Sequence, residues 1–334
     1  MNFEGFAWQH EWIAAHRDVV ATRHHAWIVS GRDGDGLQAA GSALAASILC
    51  GTPSQGVACG ECPSCRWLAG DVHPDFVRLA PEESDDDVSR LPIIKIDAAR
   101  AAVEFMQLSA SSARGRVLLV DPASALSRDS ANALLKAIEE PPANTRWILM
   151  AARPARLLAT IRSRSLRLLA PKPTSDQARA WLAANGVASH ALDTALMVAH
   201  GAPLAALAAA DAEMMAARDR FYADLAKPRE LPTLAWGTWV EGGAKTERRQ
   251  RFALLLALLG EWIADWARVR AALPAVSCAA HTTALAALAP KLPLSEALRY
   301  HRELLRRLTL PDTTLSARLQ MESVLLDYRA CFSR

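Results

Sequence analysis

The chain has no charge-free apolar run of about 18 residues, so no ordinary membrane-spanning helix is expected. Its opening, MNFEGFAWQHEW, lacks a basic region leading into an apolar segment. No secretory leader is therefore expected, and the expected location is cytoplasmic. A large excess of either charge is also missing. Against 35 Asp and Glu stand 38 Lys and Arg, a formal +3 over 334 residues. That is too little to argue for strong autonomous binding to nucleic acid or a membrane, so any basic patch must be local. Cysteine is scarce, with six in the chain, but four crowd between Cys50 and Cys65, the distribution of a metal site and not of a secreted disulfide framework. Cys278 and Cys331 read as ordinary buried thiols. What the chain does have is 51% apolar residues, ample for the cores of two or three domains.

Apolar runs alternate with helical patterns through the first half. AWIVSG (Ala26 to Gly31), PIIKI (Pro92 to Ile96), RVLLVD (Arg116 to Asp121) and RWILMAA (Arg146 to Ala152) read as strands. Between them, helices are expected over Leu37 to Cys50, from a cap at Asp97 to about Ser109, and over Ser130 to Glu140, where Pro141 and Pro142 stop it. Strands alternating with helices imply an α/β fold, a parallel sheet with helices on both faces. The acidic PEESDDD (Pro81 to Asp87) reads as a solvated loop. APKPTSD (Ala170 to Asp176), with two prolines and a fresh N-cap signal, is the best domain boundary, and everything beyond it reads as helix.

Gly31 to Gly36, GRDGDG, matches the GxxxxG half of a phosphate-binding loop and stands between a strand and a helix, through Gly31, Gly34 and Gly36. The following Lys and Ser/Thr are absent: Leu37 and Gln38 stand there, and Asp33 and Asp35 would bring negative charge to a polyphosphate. A plain glycine turn is the competing reading. RVLLVD resembles a Walker B strand ending in Asp121, but Pro122 replaces the acidic residue that would polarise water, and Asp121 also reads as a strand-end cap.

Cys50, Cys59, Cys62 and Cys65 form Cx8CxxCxxC, broken by Gly51, Pro53, Gly60 and Pro63. Four thiolates separated by tight turns suit a closed, structural zinc site; an iron-sulfur cluster is the rival reading. His73 is expected beside the site and not in it.

Taken in order, these residues resemble the delta-prime family of bacterial DNA polymerase III clamp-loader subunits, within the AAA+ superfamily. The resemblance rests on HAWIVSGRDGDG, the insertion from Cys50 to Phe76, SANALLKAIEEPP (Ser130 to Pro142) and LLATIRSRSLRL (Leu157 to Leu168), and spans about residues 20 to 210. It implies an AAA+ P-loop-type domain over 1–170 with a degenerate loop and an inserted zinc module at 50–65. Two all-α domains would follow, a small lid over 171–210 and a helical collar for oligomerisation over 211–334. The family works in a five-membered assembly that uses ATP to open a sliding clamp and close it around primed DNA.

The resemblance also divides the labour. A subunit's own nucleotide would need what Leu37, Gln38, Pro122, Ala151 (for a polar sensor) and Leu204 (for a lid arginine) replace, so no ATP is expected in its own site. The element serving a neighbour is kept: Ser163, Arg164 and Ser165 match the SRC-like motif, with Ser165 departing from the usual cysteine. Arg164 is then the arginine finger for the ATP site of a neighbouring gamma or tau subunit, contact with gamma/tau and delta running through the collar. A plainer reading has Arg162, Arg164 and Arg167 solvating a helix end. Lys136 is either a contact to DNA phosphate or a solvated charge. Tryptophans 8, 12, 181, 236, 239, 262 and 266 are expected to pack in cores or interfaces and not to stack on bases. The chain would thus take part in the DNA polymerase III holoenzyme without polymerase or ATPase activity of its own. The alternatives are an active AAA+ ATPase with an unusual loop and a zinc-dependent DNA-binding module.

Overall fold

The computed structural model describes residues 2–81, 93–189, 191–307 and 316–332, and divides into two compact units, one holding the described residues up to Ala208 and the other those from Ala209. In the first unit, β1 (Ala26–Ser30), β2 (Phe76–Leu79), β3 (Arg116–Val120), β4 (Thr145–Ala151) and β5 (Leu166–Leu169) form one sheet in the order β2-β3-β4-β1-β5. Every pairing is parallel, with Ile28 opposite Leu149 and Leu118 opposite Trp147. All residues of β1 and β3 are buried, as central strands covered on both faces require.

Alternation along the strands sorts side chains to two cores. Trp27, Val29, Val117, Leu119, Ile148 and Met150 meet the helix Leu37–Leu49 on one face. Ala26, Ile28, Leu118, Val120, Trp147 and Leu149 meet the helices Ile96–Gln107 and Arg128–Glu139 on the other.

Three of the four expected strands are present, and PIIKI is not one. Ile94 makes only an isolated parallel bridge to Leu126, and the helix begins at Ile96. Ile94 instead works as a peg. Its side chain is buried, its N–H donates to Ala125 O at 2.8 Å, and its carbonyl accepts from Ser130 Oγ at 2.6 Å. Lys95, not Asp97, is the cap residue, and Asp97 sits in the first turn, where a carboxylate suits the helix dipole. Pro92 and residues 82–87 of PEESDDD lie outside the described residues. The two unforeseen strands, β2 and β5, are the edges of the sheet, only four residues each, too short to print an alternation.

Beyond the sheet, Thr174 caps the helix Ser175–Ala184 with a reciprocal box: its Oγ1 accepts from Gln177 N at 3.2 Å, and its N–H donates to Gln177 Oε1 at 2.9 Å. This helix belongs to the same compact unit because Trp181 packs edge-on against Phe6 and Trp8, ring centroids 5.6 and 6.2 Å away.

The second unit is helical, with Ala212–Leu225, Thr233–Glu241, Lys245–Arg270, Thr282–Leu288, Leu294–Arg307 and Ala317–Cys331. Its core gathers Phe221, Tyr222, Trp236, Trp262, Trp266 and Tyr328. The buried polar edges of two of these rings pair with each other: Trp262 Nε1 donates to Tyr328 OH at 2.9 Å, which donates to Leu225 O at 2.8 Å. Cys278 is buried there, whereas Cys331 is only partly buried and donates to Asp327 O. Among the described residues no helix is long and apolar enough to cross a membrane.

Candidate functional site

The glycine loop leaves β1 as a short 3-10 turn, Asp33–Asp35, and Gly36 starts the next helix in the left-handed conformation, φ 89°. A Cβ on Gly36 would stand 2.6 Å from ring carbons of Phe6, and one on Gly34 would stand 2.9 Å from the Cβ of Ala202. Glycine at both positions lets other segments of the unit lie directly on the loop. Those segments also bond to it. Trp8 Nε1 donates to Asp35 O at 3.2 Å, Gln9 Nε2 to Gly36 O at 2.8 Å, and Arg32 Nη1 to His200 O at 2.9 Å. Asp35 is buried but neutralised, because Arg32 grips its two carboxylate oxygens at 2.8 Å each. The side chain of Asp33 lies outside the described set.

From the second residue of the helix, Gln38 Nε2 donates to Asp121 Oδ2 at 2.6 Å, and Arg78 Nη2 donates to the same oxygen at 2.9 Å. Asp121 sits just past β3 with its side chain 7% exposed. The structure thus brings Gly31, Gly34, Gly36, Gln38 and Asp121 together, with the carboxylate already engaged on two sides. Ala151 ends β4 fully buried. Arg78 and the Phe6–Gln9 segment were not legible in advance: the only signal for Arg78 is its place on an edge strand too short to recognise.

The four clustered cysteines converge. Cys50 follows the helix Leu37–Leu49, and Cys62 is the cap residue of the helix Pro63–Ala69, whose first position is Pro63. Sulfur separations are 3.5 Å for Cys50–Cys59, 3.8 Å for Cys50–Cys62 and 3.9 Å for Cys59–Cys65, and all four sulfurs lie within 4.8 Å of one another. Four sulfurs about 2.3 Å from a tetrahedral zinc would stand about 3.8 Å apart, so this donor set fits a closed four-thiolate ion. The surroundings favour anionic sulfur at Cys59 and Cys62 and oppose it, through burial, at Cys50 and Cys65. The Thr52 hydroxyl and the N–H groups of Glu61 and Cys62 pull the Cys59 thiol down to about 6, while burial pushes the Cys65 thiol up. Backbone N–H groups also point inward, Cys59 N to Cys50 Sγ at 3.3 Å and Cys62 N to Cys59 Sγ at 3.4 Å. His73 stands beside the cluster, engaged elsewhere. Its Nδ1 accepts from Asp75 N at 3.0 Å, so Nε2 carries the proton toward Ser64 Oγ, 2.8 Å away. Burial lowers its pKa, against the pull of Asp75.

On the opposite edge of the sheet, Arg164 closes the short helix Ala159–Ser163 with φ −106° and ψ 3°, in the sparsely populated bridge region. Its Nε lies 2.8 Å from Glu139 Oε1, and its Nη1 donates to Thr160 O at 3.3 Å and Ser163 Oγ at 3.2 Å. The side chain is 40% exposed. Ser165 Oγ donates to Ile161 O at 2.9 Å, and Arg167 is used inside the sheet, Nε to Ser30 Oγ at 2.9 Å. Among the described residues the Arg167 side chain bonds to a sheet residue and the Arg164 side chain does not. Lys136 is exposed on the helix Arg128–Glu139.

Comparison with known proteins bears on this arrangement. The family model of the DNA polymerase III delta subunit matches residues 16–173. DNA polymerase III subunit delta-prime of Pseudomonas aeruginosa is 37% identical over 188 residues, 56% of this chain and 56% of the relative. Over this matched region the chain is similar to DNA polymerase III delta-prime subunits. Delta-prime of Escherichia coli is also 37% identical, over 198 residues, 59% of this chain and 57% of the relative. The chain thus spans somewhat more than half the length of the curated relatives it matches. A second group of relatives is more distant: subunit tau of Salmonella typhimurium is 34% identical over 144 residues, 43% of this chain and 21% of the relative. Delta-prime relatives therefore resemble this chain over a longer stretch than tau does, and the family-model match over residues 16–173 contains the glycine loop, the cysteine cluster and Arg164.

Proposed function

We propose that the chain is a non-hydrolysing subunit of a DNA polymerase III clamp loader, which helps load the sliding clamp on primed DNA and lends Arg164 to the ATP site of a neighbouring gamma or tau subunit. In this reading residues 1–170 form the AAA+-like domain, 171–210 the lid, and 211–334 the collar that meets gamma/tau and delta.

The observation that carries the reading is the state of Asp121. In a working nucleotide site the carboxylate at this position holds the metal of the bound triphosphate, and a loop lysine and hydroxyl hold the phosphates. Here Gln38 and Arg78 share its Oδ2. Arg78 supplies the positive charge that a metal would supply, and Leu37 supplies none. Phe6, Trp8 and Gln9 lie on the glycine loop from one side and Ala202 from the other. The loop then serves as scaffold, turning strand into helix.

Arg164 supports the second half of the reading. A guanidinium delivered from a neighbour neutralises charge that develops on the transferred phosphoryl oxygens and contributes roughly 10³ to 10⁵ in rate. Lysine, a compact ammonium without the planar fork, is a poor replacement. Ser163 assists by accepting from Nη1. Zinc held by Cys50, Cys59, Cys62 and Cys65 would be structural, cross-linking the turns of residues 50–65 with no ligand position left open.

The test is ATP turnover by the purified chain, with and without primed DNA. None is expected. Turnover that Asp121→Asn abolishes would instead favour an active ATPase.

A further inference from the structure

The catalytic reading of Arg164 leaves one of its contacts unexplained. An arginine that must reach another subunit's phosphate gains no electrostatic strength from a carboxylate of its own, since the carboxylate offsets part of its charge. Yet Glu139 Oε1 lies 2.8 Å from Arg164 Nε.

The geometry of that pair is informative. Glu139 is the last residue of the helix Arg128–Glu139, and Arg164 is the cap residue of Ala159–Ser163. Both backbones are anchored by the same core, through Leu134, Ile138, Leu157 and Ile161. The core thus fixes where the two side chains start, but a long arginine still has several rotatable bonds to order. Glu139 Oε1 pairs with the Nε edge as an ion pair, while Thr160 O and Ser163 Oγ accept hydrogen bonds from Nη1. Nη2 makes no hydrogen bond among the described residues. A guanidinium is planar and rigid, so fixing Nε and Nη1 fixes Nη2 as well. One ion pair and two hydrogen bonds, from two helices, therefore hold the group by one side and leave Nη2 over.

We propose that Glu139 is the positioning residue of the arginine finger: it braces the Nε edge of Arg164 so that the remaining edge is presented, preordered, to the neighbour's γ-phosphate. The inference rests on the reading of Arg164 given above. It also assigns a task to the helix that carries Lys136, whose final residue orients the finger. Catalytic groups held in place before the reaction avoid the ordering cost at the moment of transfer. The brace acts on the rate of the chemical step and not on nucleotide affinity, because the nucleotide is held by the neighbour.

The experiment uses the full chain in complex with an ATP-bearing gamma or tau subunit, measuring kcat and KM for ATP together with the thermal stability of the free chain. Glu139 and Arg164 are both substantially exposed, 44% and 40%, so the pair orders the side chain by an exposed bridge's worth, and Glu139→Ala should lower kcat about two- to fivefold. KM and thermal stability should not move, and Glu139→Asp, which keeps the carboxylate, should recover part of the loss. In an Arg164→Ala background, Glu139→Ala should change nothing further, since there is no finger left to position. An unchanged or raised kcat for Glu139→Ala, or a loss that adds to that of Arg164→Ala, would overturn the positioning role while leaving the finger itself standing. If Arg164→Ala alone has no effect, both readings fall together.

Discussion

If Asp121 is a structural anchor and not a metal ligand, its removal should be felt in stability. In Asp121→Ala, Gln38 loses its acceptor and Arg78 loses its counter-ion inside the first unit. Hydrogen bonds to charged groups are worth about 1.5–3 kcal/mol each. The Gln38 bond lies against a carboxylate that is 7% exposed and should count nearly in full; Arg78 is 33% exposed, so its share is cut by solvent screening. The expected loss is about 2–4 kcal/mol. Urea unfolding, followed by a signal from the sheet-bearing unit, would measure it. A cycle with Arg78→Ala should be non-additive, because both substitutions break the same contact. A loss under about 0.5 kcal/mol, the size of an ordinary surface substitution, would refute the anchoring argument, and so would strict additivity.

Metal analysis of the purified chain should find one zinc per chain, and Cys62→Ser should lower both metal content and the stability of the first unit; iron with visible absorbance would contradict the assignment. The first unit should also weaken on acidification. Burial pulls the His25 pKa below its usual 6.5, with its hydrogen bond to the Ile138 carbonyl, 2.7 Å away, pulling the other way. The unfolded chain therefore takes up the proton first as pH falls. Stability tied to this group is full well above pH 6.5, declines as pH falls through 6.5, and stops declining below the lower folded value. Urea titrations of His25→Gln at pH 7.5 and 5.5 should show a shallower pH dependence than those of the unaltered chain.

Elements buried on both faces were readable in the sequence because their environment leaves a mark on every residue. AWIVS, RVLLV and RWILMA are continuous apolar runs, and parallel central strands consist of little else. The edge strands FVRL and LRLL carry only half that signal in four residues each. PIIKI misled because three isoleucines in five residues look like a strand, although only Ile94 was needed, as a peg under Ser130.

The candidate site divides in the same manner. Local spacing exposed the cysteine cluster, since its ligands lie close in sequence and are separated by turn residues. The glycine loop and Asp121 were visible as two separate strand-end features. Their meeting through Gln38, the second grip from Arg78 and the covering by Phe6, Trp8 and Gln9 bridge separations of up to 83 residues, which no local pattern records. Glu139 was hidden differently. It stood within a recognised stretch, but nothing in SANALLKAIEEPP says that its last turn faces Arg164.

The central claim is that catalysis involving this chain happens on its neighbour. The most direct test reconstitutes the clamp loader with Arg164→Ala and measures DNA-stimulated ATP hydrolysis and clamp loading, after checking that the complex still assembles. The account predicts normal assembly and a loss of roughly 10³-fold or more at the one ATP site beside this subunit. Hydrolysis and clamp loading at the unaltered rate in an intact complex would contradict it.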